Sequence, residues 1–340
     1  MEGKAVIGVD THKDSHSAAL LNQVGALQGW REVSASADGY RELLGWARSS
    51  SRERVWVVEG TGSYGAGLAA FLAGQGEFVN EGDHPKRSSR GGAGKSDYLD
   101  AIWVAKEALT RNRLGRPKAR GEREMLRVLM TAREGAVNAQ KQGLNQLYAL
   151  VVAAPEGVRR RLGHLKGAAL LKACLRLRAA GDAETVVTIT TLRSVARRVT
   201  TLGEEAADYE KQVRKLVSNM APTLLAEPGL GPLTTAQVLL SWSHHGRIHS
   251  GDAFAKLAGV APIPASSGRV QRHRLNRLGD RQLNRALHLV AITRSRSDRR
   301  TQDYIARRTA EGKSSREIRR CLKRYIARRL FRLLEGLDKT

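Results

Sequence analysis

Four acidic residues in the first third of the chain have the residue types and the spacing needed to hold a metal ion. Asp10 and Glu59 each follow a short apolar run that is predicted to be a strand, and the ends of neighbouring strands meet at one edge of a sheet. Asp97 and Asp100 stand three residues apart at the start of a predicted helix, so they share one face of it. Grouped carboxylate oxygens are the ligands that Mg²⁺ prefers, and we predict a catalytic Mg²⁺ site at these four residues.

Each of these carboxylates, taken singly, is more often a surface group, and Asp97 alone could simply cap the helix that it begins. Their joint placement favours a site. Four uncompensated carboxylates in one cleft would repel one another by several kcal/mol unless a cation lay among them. Two such ions can activate a nucleophile and stabilise the leaving oxygen of a phosphodiester.

The rest of the chain is strongly basic. The 340 residues carry a formal net charge of +25, but residues 1–110 contain 12 basic and 14 acidic side chains, whereas residues 111–340 contain 46 and 19. A basic body joined to a near-neutral unit is typical of a nucleic-acid-binding region joined to a catalytic unit. The composition therefore favours phosphodiester chemistry on nucleic acid, with a merely solubilising surface as the alternative.

Several other classes of protein are disfavoured. The two cysteines, Cys174 and Cys321, suggest no disulfide framework and fit a reducing cytosol. The chain starts almost directly with a predicted strand, so we expect no signal peptide. No apolar run approaches the ~20 residues of a membrane span, so we expect no membrane partner.

Residues 4–110 are predicted to alternate between strands and helices in the order β-β-β-α-β-α-β-α. This order is that of a ribonuclease-H-like α/β domain. Asp38 is predicted to cap the first helix, which should extend to about Arg48. The acids then lie at the ends of the first and fourth strands and at the start of the last helix.

From Glu122 onward the apolar residues take helical spacing. Residues 156–180 are predicted to form one further helix. Between Leu192 and Met220 the apolar positions follow unbroken 3,4 steps, and Pro222 ends the helix. This seam predicts a coiled coil that could build a dimer, with a long hairpin inside one chain as the alternative.

Residues 223–340 are helical and rich in arginine. Gly229 and Gly231 are predicted to form a helix-hairpin-helix-like turn that binds nucleic-acid backbone, with an ordinary loop as the alternative. Ser266 and Ser267 lie in a loop where a hydroxyl could attack phosphorus while guanidinium groups neutralise the developing charge, although such a sequence is usually just a loop. The arginines predicted to bind nucleic acid are Arg269, Arg272, Arg274, Arg277, Arg281 and Arg285.

The chain therefore divides into three predicted domains, which combine an α/β fold with an all-α remainder. Residues 1–115 form the catalytic α/β domain, residues 116–222 form a helical coiled-coil or dimerisation region, and residues 223–340 form a C-terminal domain with the glycine turn and the serine loop.

Five segments of this sequence resemble the DEDD transposases of the IS-one-ten insertion-sequence family, and together they span nearly the whole chain. They are Gly8-Val-Asp-Thr-His-Lys-Asp14, Val58-Glu-Gly-Thr-Gly-Ser-Tyr64, Gly94-Lys-Ser-Asp-Tyr-Leu-Asp-Ala101, Ala258-Gly-Val-Ala-Pro-Ile-Pro-Ala-Ser-Ser-Gly268 and Asn276-Arg-Leu-Gly-Asp-Arg-Gln-Leu-Asn-Arg-Ala-Leu-His288. The resemblance implies a RuvC-like domain, a coiled-coil middle and a C-terminal transposase domain.

The resemblance also implies a mechanism and partners. The DEDD acids fall on the four acidic residues, and the catalytic serine falls on Ser266, with Ser267 as the second choice. It implies a 5′-phosphoserine link, a composite active site in homodimers that pair into a tetramer, and a structured non-coding bridge RNA that pairs with donor and target DNA. The expected location is the bacterial cytoplasm, at the nucleoid. The alternative is a RuvC-like Holliday-junction resolvase that needs neither serine nor RNA.

Overall fold

The computed structural model of the protein describes residues 4–82, 96–111, 114–264, 273–274, 276 and 278–337. The chain divides into two compact units, residues 1–120 and 121–340. Each unit has hydrophobic clusters of its own. The predicted domain boundaries near residues 115 and 222 stay predictions.

The first unit is built on a five-stranded sheet with the order β3-β2-β1-β4-β5. Strands β1 and β2 are antiparallel, as are β2 and β3, whereas β4 pairs parallel with both β1 and β5. The strands are β1 (Ala5–Thr11), β2 (Ser15–Leu21), β3 (Leu27–Ser34), β4 (Arg54–Glu59) and β5 (Val79–Gly82).

Three helices cover the two faces of this sheet: α1 (Ala37–Ser50), α2 (Ala66–Gly74) and α3 (Asp97–Thr110). The element order is the one predicted, and it is that of a ribonuclease-H-like domain. The predicted cap of α1 was wrong. Ser36 is the N-cap, because its Oγ accepts the N–H of Gly39 at 3.2 Å, and Asp38 lies in the first turn.

Alternation along the central strands sends neighbouring side chains to opposite faces of the sheet. Ile7 and Trp56 pack in the cluster that includes residues of α1 and α2. Val6 and Val57 pack against α3. The side chains of Asp10 and Glu59 lie on this second face, because each is an even number of residues from Val6 or Val57.

The second unit begins with a helical hairpin made of α4 (Glu122–Val152) and α7 (Ala183–Met220). The single helix predicted over 156–180 was wrong. Two short helices occupy this region instead, α5 (Glu156–Leu162) and α6 (Gly167–Leu175). The chain turns between them so that Leu162, Leu170 and Cys174 all pack in one cluster at the tip of the hairpin.

The two long helices run antiparallel. Arg133 of α4 donates to Glu210 of α7 at 3.2 Å. Further along α4, Gln146 accepts a hydrogen bond at 2.6 Å from Arg198, which lies earlier in α7 than Glu210. Five positions of the predicted seam on α7 are buried within this chain, namely Leu192, Val195, Val199, Ala206 and Val213, and its other four positions are half-buried. The helix ends just before Pro222, as expected. A dimer formed through this region stays a prediction.

Short and medium helices follow and pack on the base of the hairpin. They are α8 (Pro222–Leu225), α9 (Pro232–Trp242), α10 (Gly251–Leu257), the two-residue strands β6 (Ile263–Pro264) and β7 (His273–Arg274), α11 (Arg281–Ser297), α12 (Arg299–Ala310) and α13 (Ser315–Leu334). One hydrophobic cluster joins the hairpin base to these helices, with Leu126, Val217, Phe254 and Leu330 among its fully buried members. None of the helices in the described ranges is long and apolar enough to cross a membrane.

Polar contacts tie the C-terminal helices together. Ser241 donates to Asp280 at 2.6 Å, and the Trp242 indole donates to Glu335 at 2.7 Å. Arg294 donates to the Pro228 carbonyl at 2.7 Å. These bonds fix the ends of α9 and α11.

Candidate metal centre and nucleic-acid-binding residues

Asp10 and Glu59 lie side by side at one edge of the sheet. The paired register of the parallel strands β1 and β4 ends with Val9 opposite Val58, and the two acids are the next residues on each strand. Thr11 strengthens this edge because its Oγ1 donates to the Glu59 carbonyl at 3.0 Å. Both carboxylates therefore lie at the same level and on the face that α3 covers.

Helix α3 reaches this edge because Gly8 lets it come close. A Cβ on Gly8 would lie 2.3 Å from the Ala101 carbonyl oxygen and 2.5 Å from the Ala105 nitrogen, so no larger residue fits there. Asp10 lies two residues further along the same face of β1, opposite the first turn of α3. The first turn carries Asp97 and Asp100.

An edge-to-face contact also holds the first turn of α3. The Tyr98 ring lies 5.6 Å from the Trp30 ring on β3, with the ring planes at 86° to each other. This is the favourable T-shaped geometry of aromatic pairs. The sheet therefore holds the start of α3 at two places, at Ala101 through the backbone of β1 and at Tyr98, the residue next to Asp97, through this ring pair.

The side chains of Asp10, His12 and Asp97 converge into a cluster that could hold a metal ion. Their ligand atoms all lie within 4.8 Å of one another. His12 Nε2 lies 3.1 Å from Asp10 Oδ2 and 3.2 Å from Asp97 Oδ1. His12 therefore bridges the strand acid and the helix acid.

The electrostatics of this cluster favour a cation. Burial raises the pKa of Asp10 above its ordinary value, His12 counteracts that rise, and the charges of Asp100 and Asp97 add to it. The Asp10 side chain is 8% exposed and that of Asp97 is 46% exposed, so the cluster opens to solvent on the side of α3. Excess negative charge, carboxylate oxygens and an imidazole nitrogen together fit a hard divalent cation.

The structure thus unites two of the four predicted ligands directly. Asp97 and Asp10 belong to the cluster, and Asp100 lies close enough to Asp10 to influence its pKa. Glu59 is buried on the adjacent strand, but neither it nor Asp100 is among the three residues of the cluster. Their role as metal ligands stays a prediction.

Sequence reasoning missed His12. It follows Asp10 by two residues and starts the turn into β2, where its N–H donates to the Ser15 carbonyl. A two-residue spacing in extended chain puts both side chains on one side, and this signal could have identified it.

The predicted glycine turn has a clear structural role. Gly229 has a φ of +78°, and a Cβ there would lie 3.0 Å from the Val290 carbonyl of α11. Gly231 caps α9, and its N–H donates to Thr234 Oγ1 at 2.9 Å. The Gly231 N–H is therefore engaged inside the protein, and phosphate binding at this turn stays a prediction.

The remaining predicted residues lie in or near the segment between β6 and β7. Ser266, Ser267, Arg269, Arg272 and Arg277 lie outside the described residues. Arg274 is described by its backbone only, in β7. Arg281 and Arg285 are exposed on α11.

Comparison with known proteins identifies the class to which this fold and this site belong. Residues 7–154 match the family model for the DEDD transposases of IS110, and residues 221–306 match a model described as Transposase IS116/IS110/IS902 family. The chain belongs to the IS110, or IS-one-ten, family of DEDD transposases. The first match contains all four predicted acids, and the second contains the glycine turn and both serines.

Two relatives place the chain among insertion-element proteins. It is 24% identical to the uncharacterized 42 kDa protein of insertion element IS900 from Mycobacterium paratuberculosis, over 90% of this chain and 89% of that protein. It is 30% identical to the uncharacterized 43.6 kDa protein of insertion element IS110 from Streptomyces coelicolor, over 42% of this chain and 36% of that protein. As a transposase, the protein acts on DNA, and its acidic cluster is suited to a divalent metal ion.

Proposed function

We propose that the protein is an RNA-guided DNA transposase that excises and inserts an insertion sequence by metal-dependent strand cleavage and exchange. The observation that carries this proposal is the convergence of Asp10, His12 and Asp97 at the sheet edge of a ribonuclease-H-like unit. The membership of the chain in the IS110 family supports it further.

Asp10, Glu59, Asp97 and Asp100 would hold Mg²⁺ in this proposal, and His12 would add an imidazole to the set. A bound divalent cation supplies Lewis-acid stabilisation of the charge that develops on phosphodiester oxygens. The chain contributes rigidity, because β1, β4 and α3 each fix one part of the ligand set. The buried position of Asp10 lowers the local dielectric constant and strengthens its attraction for a cation.

The covalent step would use the serine loop. The Oγ of Ser266, or of Ser267 as the second choice, attacks the phosphorus atom and loses its proton. The P–O3′ bond breaks, and a free 3′-hydroxyl and a 5′-phosphoserine remain. The 3′-hydroxyl of another strand then attacks this phosphoserine and releases the serine, so the number of phosphodiester bonds is conserved. Arginines near the loop would neutralise charge on the phosphoryl oxygens.

The partners would be donor and target DNA and a structured bridge RNA that pairs with both. Base pairing with the RNA would then select the donor and target DNA sequences, while the protein would bind the sugar-phosphate backbone. The acids of one protomer would face the serine of another, in homodimers that pair into a tetramer. The strongly basic C-terminal half, including Arg281 and Arg285, supports a polyanionic partner.

The proposal is tested by strand exchange between donor and target plasmids with the RNA that copurifies with the protein. Asp10→Asn and Ser266→Ala should each abolish exchange while retaining RNA binding, and Asp38→Asn, which removes an exposed carboxylate from α1, is the matched control. Full exchange by Asp10→Asn would refute the metal role.

The same assay distinguishes the alternative, a RuvC-like junction resolvase. A specific observation keeps this alternative open, because the cluster of Asp10, His12 and Asp97 lies wholly within residues 1–120. A resolvase would cleave a four-way junction without RNA and would tolerate the double change Ser266→Ala and Ser267→Ala. Loss of cleavage in the double variant would exclude it.

A further inference from the structure

A cavity of about 410 Å³ lies in the second unit, between α11, α13 and the segment that precedes α11. Its walls carry Asn284, His288 and Lys323. None of these three residues was predicted to bind nucleic acid. The cavity lies close in sequence to β6 and β7, because its lining residues Ala258 and Asn276 flank those two strands.

At the floor of the cavity, the backbone around Leu257 packs closely against the backbone around Gly279. Gly259 and Gly279 both have left-handed φ angles, +64° and +112°, and a Cβ on Gly279 would lie 2.5 Å from the Leu257 carbonyl. The Asp280 N–H donates to that same carbonyl at 2.7 Å. The Asn284 amide donates to the Ala258 carbonyl at 2.7 Å. These bonds hold the two chain segments that line the cavity in one fixed arrangement.

Cationic groups gather around this floor. On α11, Arg281 lies three and four residues before Asn284 and Arg285, and His288 lies four and three residues after them, so all four side chains lie on one face. Lys323 projects from α13 and donates to Asn284 Oδ1 at 2.9 Å. Within the described part of the chain, Lys323, Arg281 and Arg285 form no ion pair with a carboxylate.

One carboxylate also lines the cavity, and each of its oxygens accepts a hydrogen bond from the protein. Asp280 Oδ1 accepts the N–H of Leu283 and caps α11, and Asp280 Oδ2 accepts the hydroxyl of Ser241 at 2.6 Å. Asp280 therefore stabilises the fold around the cavity, whereas Lys323 donates to Asn284.

Burial and nearby positive charges lower the pKa values of two groups that line the cavity. Burial lowers the pKa of Lys323, and the charges of Arg320 and Arg319 lower it further. Burial, Lys323 and Arg319 similarly lower the pKa of His288. A half-buried ammonium among like charges is costly unless an anion compensates it.

We infer that this cavity binds a phosphodiester group of a nucleic-acid backbone, with Lys323 as its central ligand and the Asn284 side chain as the group that positions the ammonium. The inference rests on the proposed function in so far as nucleic acid is the partner. An anionic phosphate would remove the repulsion around Lys323. Arg281 and Arg285 at the exposed side of the cavity would contact the flanking phosphates of the same strand.

Binding measurements on the full-length protein test the inference, with a short DNA duplex and a short RNA hairpin as the two probes. Lys323→Met should weaken binding of one or both probes by about tenfold, the value of one charged hydrogen bond. It should also reduce the slope of log affinity against log salt concentration by about 1. Lys323→Arg should restore most of the affinity. Lys215→Met, at an exposed position of α7, is the matched control and should have a much smaller effect.

Chemical footprinting of Lys323 in the wild-type protein gives a second measurement, which needs no substitution. Acetylation of Lys323 by an amine-reactive reagent, followed by mass spectrometry, should be severalfold slower in the presence of whichever probe occupies the cavity. Protection by DNA alone assigns the cavity to DNA, and protection by RNA alone assigns it to the RNA. Unchanged acetylation with both probes bound, or equal affinities of Lys323→Met and Lys215→Met, would overturn the inference.

These outcomes are distinguishable from failure of the proposed mechanism. The measurements report binding and not strand exchange, and so they are valid even if the serine step or the RNA guide is wrong. A protein that binds both probes tightly but shows no protection at Lys323 refutes the cavity only. A protein that binds neither probe refutes both the cavity and the proposed function.

Discussion

Gly8→Ala is the sharpest test of how the fold builds the acidic site. The added methyl carbon would lie 2.3 Å from the Ala101 carbonyl oxygen and 2.5 Å from the Ala105 nitrogen, where an ordinary contact begins at about 3.4 Å. Both neighbours are backbone atoms of α3, so no side chain can rotate away. The helix must therefore retreat from β1 by about 1 Å.

This retreat has two separable effects. Overpacking of a tight contact typically costs about 1–3 kcal/mol, so the first unit should still fold but should melt earlier. Asp97 and Asp100 lie in the first turn of α3, so they would move with the helix away from Asp10, which is fixed in β1. Misplacement of catalytic groups by about 1 Å can cost about a hundredfold in rate. We therefore expect metal-dependent DNA cleavage to fall far more than stability does.

The assay combines thermal unfolding followed by circular dichroism, Mn²⁺ binding by calorimetry and plasmid cleavage. Gly45→Ala is the matched control, because Gly45 is exposed on α1 with no atom near its position, and alanine there should stabilise the helix by up to about 1 kcal/mol. If Gly8→Ala cleaved DNA and bound Mn²⁺ as well as the Gly45→Ala protein, the close approach of α3 would not be what assembles the site.

Two further predictions concern individual side chains. His12→Ala should weaken Mn²⁺ binding by about tenfold or more, because it removes the group that bridges Asp10 and Asp97, and calorimetry beside an exposed His164→Ala control measures it. Hydrogen bonding from Arg329 holds the pKa of Glu227 below its ordinary value. The Glu227 carboxylate therefore stabilises the fold fully at pH values above the ordinary pKa of a glutamate, and this stabilisation is lost as the pH falls through the lowered pKa. In urea titrations, Glu227→Gln should flatten the loss of stability as the pH falls below about 5, relative to Glu204→Gln. Glu227→Ala should cost about 3 kcal/mol because it leaves the charge of the buried Arg294 without its Glu227 partner. The same loss of stability with falling pH in the wild-type, Glu227→Gln and Glu204→Gln proteins would contradict this prediction.

The order of elements in the first unit could be predicted because its strands and helices differ clearly in apolar period. Asp10 and Glu59 followed two apolar runs, and parallel pairing then placed them at one edge. The long helix that carries Leu192 and Met220 was predictable for the same reason, since its seam persists over several turns.

Tertiary contacts explain the parts that the sequence concealed. His12 joins Asp97 only because α3 crosses β1, and no local pattern shows that crossing. Ser36, not Asp38, caps α1, because either residue suits the position and only the path of β3 decides between them. The cavity at Lys323 likewise depends on the packing of α13 against α11, which lie far apart along the chain.

The antiparallel pairing of α4 and α7 restricts how this protein can change in length. The two helices contain 31 and 38 residues, which at about 1.5 Å per residue correspond to roughly 46 and 57 Å. Insertion of seven residues into each helix would preserve the buried seam and would move the tip outward by about 10 Å. Insertion of a single residue would instead turn everything beyond it by about 100° and bring polar side chains into the seam. Insertions and deletions in relatives of this chain should therefore fall in the α5–α6 tip, or occur as whole heptads matched in both helices.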